Sequence, residues 1–138
     1  LQAAPMWCVD RRVFMWFYIC IGLAGGSGTL LRYFLGRATV NMGLTALPFG
    51  TLFANILGCF LMGYLSWTIV QKWQLSKEIQ IVILTGFLGG FTTFSAFSLE
   101  VLTIFEQGHE LRAAIYLCFK VILCLLMCML GLYIAKQT

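Results

Sequence analysis

The residues best suited to chemistry lie in one stretch that combines paired glycines, hydroxyl side chains and phenylalanines. It spans Gly86–Ser98 and reads GFLGGFTTFSAFS. Paired glycines beside paired threonines favour a break in a helix, and a broken helix exposes backbone carbonyls that can hold a cation. The helix that resumes after the break directs its N-terminus, which attracts anions, toward the same place. The stretch therefore predicts an ion site built largely from backbone.

Two phenylalanines just after the predicted break share one helix face. Phe94 and Phe97 are three residues apart, and ring edges carry the positive end of the aromatic quadrupole, which can face a small anion. An aromatic stripe alone is more typical of packing or lipid contact, but here hydroxyl donors surround the rings. These donors are Thr93, Ser95 and Ser98.

Asn55 supplies a further candidate donor from another part of the chain. It lies near the middle of an apolar run, and an amide buried there must find partners. Its NH₂ group offers two donors. We therefore include Asn55 in the predicted ion site.

The composition predicts the environment of these groups. Of 138 residues, 61% are hydrophobic and 10% are charged, whereas ordinary soluble domains carry about 25% charged residues. The mean hydropathy is +0.92, and so small a soluble domain could not bury that much apolar surface. We therefore expect an integral membrane protein. The nine Lys and Arg residues are scattered, which excludes a nucleic-acid binder.

Four long apolar runs, the last interrupted by Lys120, set the predicted architecture. A bilayer core of about 30 Å needs roughly 20 apolar residues per helix, so the chain has room for four spanning helices. We expect an all-α membrane protein with one four-span domain over residues 1–138 and a third helix broken near its middle. The predicted spans are about 13–33, 47–70, 79–105 and 111–135.

The N-terminus admits a second interpretation of the first apolar run. Arg11 and Arg12 precede it, as in a secretory signal. The run is longer than the roughly 7–15 apolar residues of a signal core, which favours a span. The opening residues Leu1–Pro5 lack a methionine, and we expect them to be a fragment edge or an expression remnant.

Positive charges are divided almost evenly between the two predicted membrane faces. Five Lys or Arg residues lie on the side of the termini, namely Arg11, Arg12, Lys72, Lys77 and Lys136, and three on the other, namely Arg32, Arg37 and Arg112. So small a bias lets a chain insert either way up, and two oppositely oriented copies can then pair. An antiparallel dimer is the resulting hypothesis.

Cysteines and histidine give no clear reactive centre. The six cysteines, Cys8, Cys20, Cys59, Cys118, Cys124 and Cys128, form no C-x-x-C motif. Cys124 and Cys128 share a helix face and could suggest a soft-metal site, although small packing residues explain them more simply. His109, in the loop before the fourth span, has no partner pattern typical of hydrolases or zinc sites.

Taken together, four segments resemble the small four-span fluoride channels of the Fluc or CrcB family. The likeness is good from about Gly22 to Glu100 and loose in the fourth span. The segments are Gly25–Gly28 leading to Arg32 and Tyr33, Pro48–Leu52 with Asn55 and Gly58, Gly86–Ser95, and Phe97–Ser98 followed by Glu100.

The resemblance implies a dual-topology homodimer with two antiparallel fluoride pathways and a structural sodium ion at its centre. The sodium ligands would be the backbone carbonyls of Gly89 and Thr92 from both copies. Phe94 and Phe97 would coordinate fluoride with their ring edges. The donors along the route would be Asn55, Thr93, Ser95 and Tyr116, with Glu100 near a vestibule and Arg32 as an entrance cation.

The implied function is passive export of cytoplasmic fluoride across the inner (plasma) membrane of a microbe, with no enzymatic step. A pore must replace the water of the small, strongly hydrated fluoride ion with donors. The partners would be fluoride, lipid and a second copy of the chain in inverted orientation.

The fourth span departs from the family pattern at Lys120 and Cys124, where hydroxyl or amide residues are usual. A lysine in mid-span costs about 2.5–3.5 kcal/mol unless it is paired or faces water. We therefore expect Lys120 to contact Glu100 or to face an aqueous vestibule. The departure also leaves open a heterodimer of two related chains.

The main alternative function is a small multidrug or cation exporter of the four-helix, dual-topology type. Such a proton-coupled transporter would need an acidic residue in its first span, where this chain has none. A structural membrane subunit would explain the glycines but not the residues after Gly90. A membrane enzyme would need clustered reactive side chains that the spans lack.

Overall fold

The computed structural model of the chain describes residues 11–44 and 47–138, with side chains from Phe14 onward. Those residues form helices and turns without a β-strand. Four helices are long and apolar enough to cross a membrane, namely Phe14–Asn41, Phe49–Lys72, Lys77–Glu106 and Glu110–Gln137. The chain is therefore a multi-pass membrane protein. The predictions for Leu1–Pro5 and for Cys8 lie outside the described residues.

The third spanning helix is interrupted midway, as the sequence predicted. The elements in chain order are α1 (Arg11–Asn41), α2 (Phe49–Trp67) with a π-helical turn at Thr68–Lys72, α3 (Lys77–Ile81), a π-helical segment (Val82–Leu88), α4 (Gly89–Phe91), α5 (Ser95–Glu106) and α6 (Glu110–Gln137). The predicted all-α class with four spanning helices and a broken third helix is confirmed.

The first helix extends further than the apolar run that predicts it. The run indicates a span to about residue 33, whereas α1 continues to Asn41. Charges such as Arg32 and Arg37 limit apolar depth but do not stop a helix. Helix α1 is closed off just after Asn41 by Gly43, whose φ of 75° suits glycine. The Leu44 N–H donates to the Thr39 carbonyl across this turn.

The turn between α5 and α6 sets the register of the two helices. Gly108 adopts φ 82°, and the N–H of His109 donates to the carbonyl of Ile104 in the same type of helix ending. The turn makes α5 and α6 an antiparallel hairpin. Residues at similar distances from Gly108, such as Phe97 and Lys120, therefore lie at about the same level.

Glycines allow α1 to lie directly against the third span. A Cβ added at Gly90 would clash with the Gly25 carbonyl, and one added at Gly28 would clash with the Phe87 carbonyl. Small residues at helical spacing permit such close backbone contact in membranes. The π-helical segment at Val82–Leu88, which the sequence did not predict, forms part of this contact.

The other large helix contact joins α2 to α6. A Cβ at Gly63 would clash with the Cys128 carbonyl, and one at Gly131 would clash with the Phe60 carbonyl. This close approach places the polar residues of α2, α5 and α6 side by side.

Candidate functional site

The break in the third span begins where α4 ends at Phe91. Thr92 is extended, with φ −86° and ψ 156°, and α5 begins at Ser95. The Thr92 hydroxyl donates back to the Leu88 carbonyl at 2.9 Å, which satisfies that side chain locally. The backbone turns away from the helix between Thr92 and Phe94.

Asn55 holds the break from α2 through both ends of its amide. Its Nδ2 donates to the Thr93 carbonyl at 2.8 Å, and its Oδ1 accepts from the Thr93 N–H at 2.8 Å. Asn55 is 8% exposed, so these bonds supply the partners that a buried amide requires. The amide has a second N–H, which is what the predicted role along the ion pathway needs.

Two backbone carbonyls at the break lack the N–H donors that a continuous helix would give them. In a continuous helix the Thr93 N–H would bond to the carbonyl of Gly89, but here it bonds to Asn55. Likewise the Ala96 N–H, the helical donor for Thr92, bonds to the Thr93 hydroxyl at 3.3 Å. The carbonyls of Gly89 and Thr92 are thus without their usual helical donors.

The two phenylalanines of the predicted ion site form an edge-to-face pair. Their ring centroids are 5.6 Å apart at an interplanar angle of 70°. Phe97 is buried, whereas Phe94 is 74% exposed. Tyr116 of α6 extends the pair, with its ring 5.8 Å from that of Phe97. The predicted residues Phe94, Phe97 and Tyr116 are therefore neighbours.

Hydroxyl groups line the start of α5. The hydroxyls of Thr93 and Ser95 lie 3.3 Å apart, and the Ser98 hydroxyl donates to the Phe94 carbonyl at 3.0 Å. Ser95 is exposed, and Thr93 and Ser98 are partly exposed. The role predicted for these hydroxyls as donors along the ion pathway stays a prediction.

Lys120 contacts Glu100, which confirms the predicted pairing. Its Nζ lies 3.3 Å from Glu100 Oε2, and it also donates to Thr51 Oγ1 and to the Tyr116 hydroxyl, each at 3.0 Å. The residue is only 1% exposed. We call these four residues the Lys120 cluster.

Every polar group of the Lys120 cluster has a partner. The Thr51 hydroxyl donates to both oxygens of Glu100 at 2.7 and 2.8 Å, and the Tyr116 hydroxyl donates to Oε2 at 3.0 Å. The ammonium also lies 4.7 Å from the centre of the Phe97 ring. Such full pairing offsets the cost of a buried charge. Sequence reasoning did not select Thr51, although it precedes Asn55 by one helical turn.

Residues of the Lys120 cluster line two cavities. An outer groove of about 540 Å³ lies between the end of α1, the start of α2 and α5, and both Thr51 and Glu100 line it. An inner pocket of about 340 Å³ is lined by Lys120 and by the ion-site residues Asn55, Thr93, Phe94 and Phe97. The cavities therefore share this cluster, because Glu100 lines the groove and its partner Lys120 lines the pocket.

Comparison with known proteins agrees with this arrangement. The family model "CrcB-like protein, Camphor Resistance (CrcB)" matches residues 19–132. The chain belongs to the CrcB family.

Curated relatives in this family bear the name fluoride-specific ion channel FluC. The protein of Rhizobium leguminosarum bv. trifolii (strain WSM2304) is 39% identical over 118 residues, which cover 86% of this chain and 94% of that protein. The protein of Granulibacter bethesdensis (strain ATCC BAA-1260 / CGDNIH1) is 38% identical over 122 residues, covering 88% and 96%. That of Methylococcus capsulatus (strain ATCC 33009 / NCIMB 11132 / Bath) is 41% identical over 117 residues, covering 85% and 51%.

Arg32 lies away from both cavities of this CrcB chain. Its Nε donates to the Gly90 carbonyl at 3.4 Å, beside the Thr29 hydroxyl, which donates to the same oxygen at 3.3 Å. Arg32 lines a shallower groove that also reaches Thr51. Arg32 therefore links α1 to α4, just before the break. Its predicted role as an entrance cation stays a prediction.

The inner pocket of this CrcB chain also contains thiols. Cys59 of α2 lines it together with Cys124 and Cys128 of α6. The sequence placed Cys124 and Cys128 on one face, but only the packing of α2 on α6 adds Cys59. Among the described residues, no three His, Cys, Asp or Glu side chains are arranged to hold a metal ion.

Proposed function

We propose that this chain is a subunit of a fluoride-selective channel that lets cytoplasmic fluoride leave the cell down its gradient. The observation that carries the proposal is the inner pocket, where Phe94, Phe97 and Asn55 meet at a break in a membrane helix. Ring edges and amide N–H groups can replace the water around a small anion. The FluC names of relatives such as that of Rhizobium leguminosarum support the same anion.

The proposed function requires no catalytic residue. Passive flow needs only a route with donors, because the gradient supplies the free energy. Glu100, the acidic group nearest the pocket, is bonded to Thr51, Tyr116 and Lys120. A carboxylate held in this way does not favour the proton-coupled exporter.

The active unit that we propose is an antiparallel homodimer. In a single chain Phe94 is 74% exposed, and the hydroxyls beside it lie midway along the third span. Polar groups at that depth are costly in contact with lipid. A second, inverted copy would cover them and complete each pathway, and the nearly even distribution of positive charge permits that orientation.

A sodium ion fits the break as a structural cation of the dimer. The carbonyls of Gly89 and Thr92 have lost their usual helical donors, and carbonyl oxygens are suitable ligands for Na⁺. Two oxygens from each copy would hold the ion, which would supply positive charge that links the two broken helices. In this chain, Asn55 accepts from the Thr93 N–H, which a continuous helix would direct at the Gly89 carbonyl.

Fluoride efflux from liposomes tests the proposed function, with chloride efflux as the comparison. We expect fluoride to leave much faster than chloride through the parent protein. Phe94→Ile removes the exposed ring of the pair and should lower fluoride efflux by about tenfold or more, on the scale of one lost polar interaction. Phe105→Ile, on an exposed face of the same helix, is the matched control. Equal efflux of the two anions would disprove the proposal.

A further inference from the structure

The ammonium of the Lys120 cluster has hydrogen-bond partners at unequal distances. Its Nζ lies 3.0 Å from both Thr51 Oγ1 and the Tyr116 hydroxyl, but 3.3 Å from Glu100 Oε2. Hydrogen bonds between ammonium and carboxylate groups are usually about 2.7–2.9 Å long. The oppositely charged partner is therefore the one that Lys120 holds least closely.

Glu100 does not depend on Lys120 for its hydrogen bonds. The hydroxyls of Thr51 and Tyr116 donate to its carboxylate at 2.7 to 3.0 Å. Its side chain is 18% exposed, compared with 2% for Lys120. The carboxylate would therefore keep hydrogen-bond donors if the ammonium bonded to another acceptor.

The ion pair of Lys120 and Glu100 places opposite charges at the two cavities. Glu100 lines the outer groove and Lys120 lines the inner pocket, so the two partners of the ion pair line different cavities. The ammonium also covers one face of the Phe97 ring, at 4.7 Å from its centre. A cation prefers the negative face of a ring, which leaves the positive ring edge for an anion.

We propose that Lys120 is an anion-binding residue of the pathway and that Glu100 competes with the anion for it. This inference rests on the proposed fluoride channel. Fluoride is a compact, strong hydrogen-bond acceptor, so it can take the place of one carboxylate oxygen on the ammonium. The displaced carboxylate keeps its bonds to Thr51 and Tyr116. The larger chloride ion fits this position less well.

The competition predicts a specific effect of Glu100→Gln. Removal of the negative competitor should lower the fluoride concentration that gives half-maximal efflux by about tenfold, the scale of one charge-assisted hydrogen bond. Chloride efflux should rise at the same time, because an unpaired ammonium attracts both anions. Glu106→Gln, at the exposed end of the same helix, is the matched control. A half-maximal concentration equal to that of the parent would overturn the inference.

Lys120→Met removes the proposed anion-binding group itself and so tests the same inference. We expect a higher half-maximal fluoride concentration and lower efflux, with Lys136→Met on the same helix as the control. The double variant Lys120→Met/Glu100→Gln distinguishes binding from simple neutralisation. If Lys120 binds the anion, the double variant stays impaired. If the double variant regains the concentration dependence of the parent, Lys120 only neutralises Glu100 and the inference is wrong.

The two proposals fail in different ways. A parent protein that releases fluoride and chloride equally disproves the channel function itself. A selective parent whose variants at Lys120 and Glu100 match their controls disproves only the anion-binding role. If Lys120→Met does not fold, Glu100→Gln alone decides, because it keeps the shape of the side chain and the ammonium beside it.

Discussion

Asn55 on α2 bonds with both ends of its amide to a single residue, Thr93, which lies 38 positions further along the chain. The two bonds join the middle of the second span to the break in the third. They satisfy one donor and one acceptor that the break would otherwise leave without partners. The irregular backbone is therefore held by a side chain from another helix.

Asn55→Ala should destabilise the protein by about 1–3 kcal/mol, because it leaves the buried N–H and carbonyl of Thr93 without partners. Thermal unfolding in detergent measures this loss. Asn41→Ala, at the exposed end of α1, is the control and should unfold at the parent temperature. Equal melting temperatures for both variants would show that the two hydrogen bonds between Asn55 and Thr93 contribute little to stability.

Gly58→Ala should also destabilise the break, by about 1–3 kcal/mol, because overpacked cores are strained. A Cβ at this position would clash with Thr92 Cγ2 and press on the Phe91 ring. Gly36→Ala is the matched change, since its Cβ would meet nothing within 4 Å. Thermal unfolding of both variants provides the comparison, and an unaffected Gly58→Ala would contradict the packing described.

Exchange of sodium for N-methylglucamine should lower the melting temperature of the dimer, because the carbonyls of Gly89 and Thr92 would lose their cation. The effect should saturate as sodium is restored. Asn55→Ala should need more sodium for the same melting temperature, since the Thr93 N–H is then free to bond to the Gly89 carbonyl. Phe94→Ile should respond to sodium as the parent does. A melting temperature that does not change with sodium would argue against the ion.

A reporter fused to the C-terminus should be detected on both faces of the membrane. We expect dual topology because the bias of Lys and Arg between the two sides, five to three, is small. Two additional lysines after Thr138 should shift the population to one orientation and reduce fluoride efflux, because inverted partners become scarce. Detection on one face alone in the unaltered chain would rule out the antiparallel homodimer.

The sequence by itself determined the features that depend on local composition. Long apolar runs predict spanning helices because the bilayer sets their length. The break between Thr92 and Phe94 was predictable because the paired glycines and threonines beside it weaken a helix on their own. Even the contact between Lys120 and Glu100 was predictable, because a hairpin at Gly108 fixes the register of two adjacent helices.

Only the tertiary structure decided which distant residues meet. The two bonds from Asn55 to Thr93, and the place of Thr51 beside Lys120, depend on how deeply α2 sits against α5 and α6. The addition of Cys59 to the inner pocket depends on the same packing. Glycines at Gly63 and Gly131 permit that approach, but helical spacing along one chain does not specify which backbone each glycine will touch. Contacts across helices arise from the packing of the whole bundle, so the hydrogen bonds from Thr51 and Tyr116 to Glu100 became visible only there.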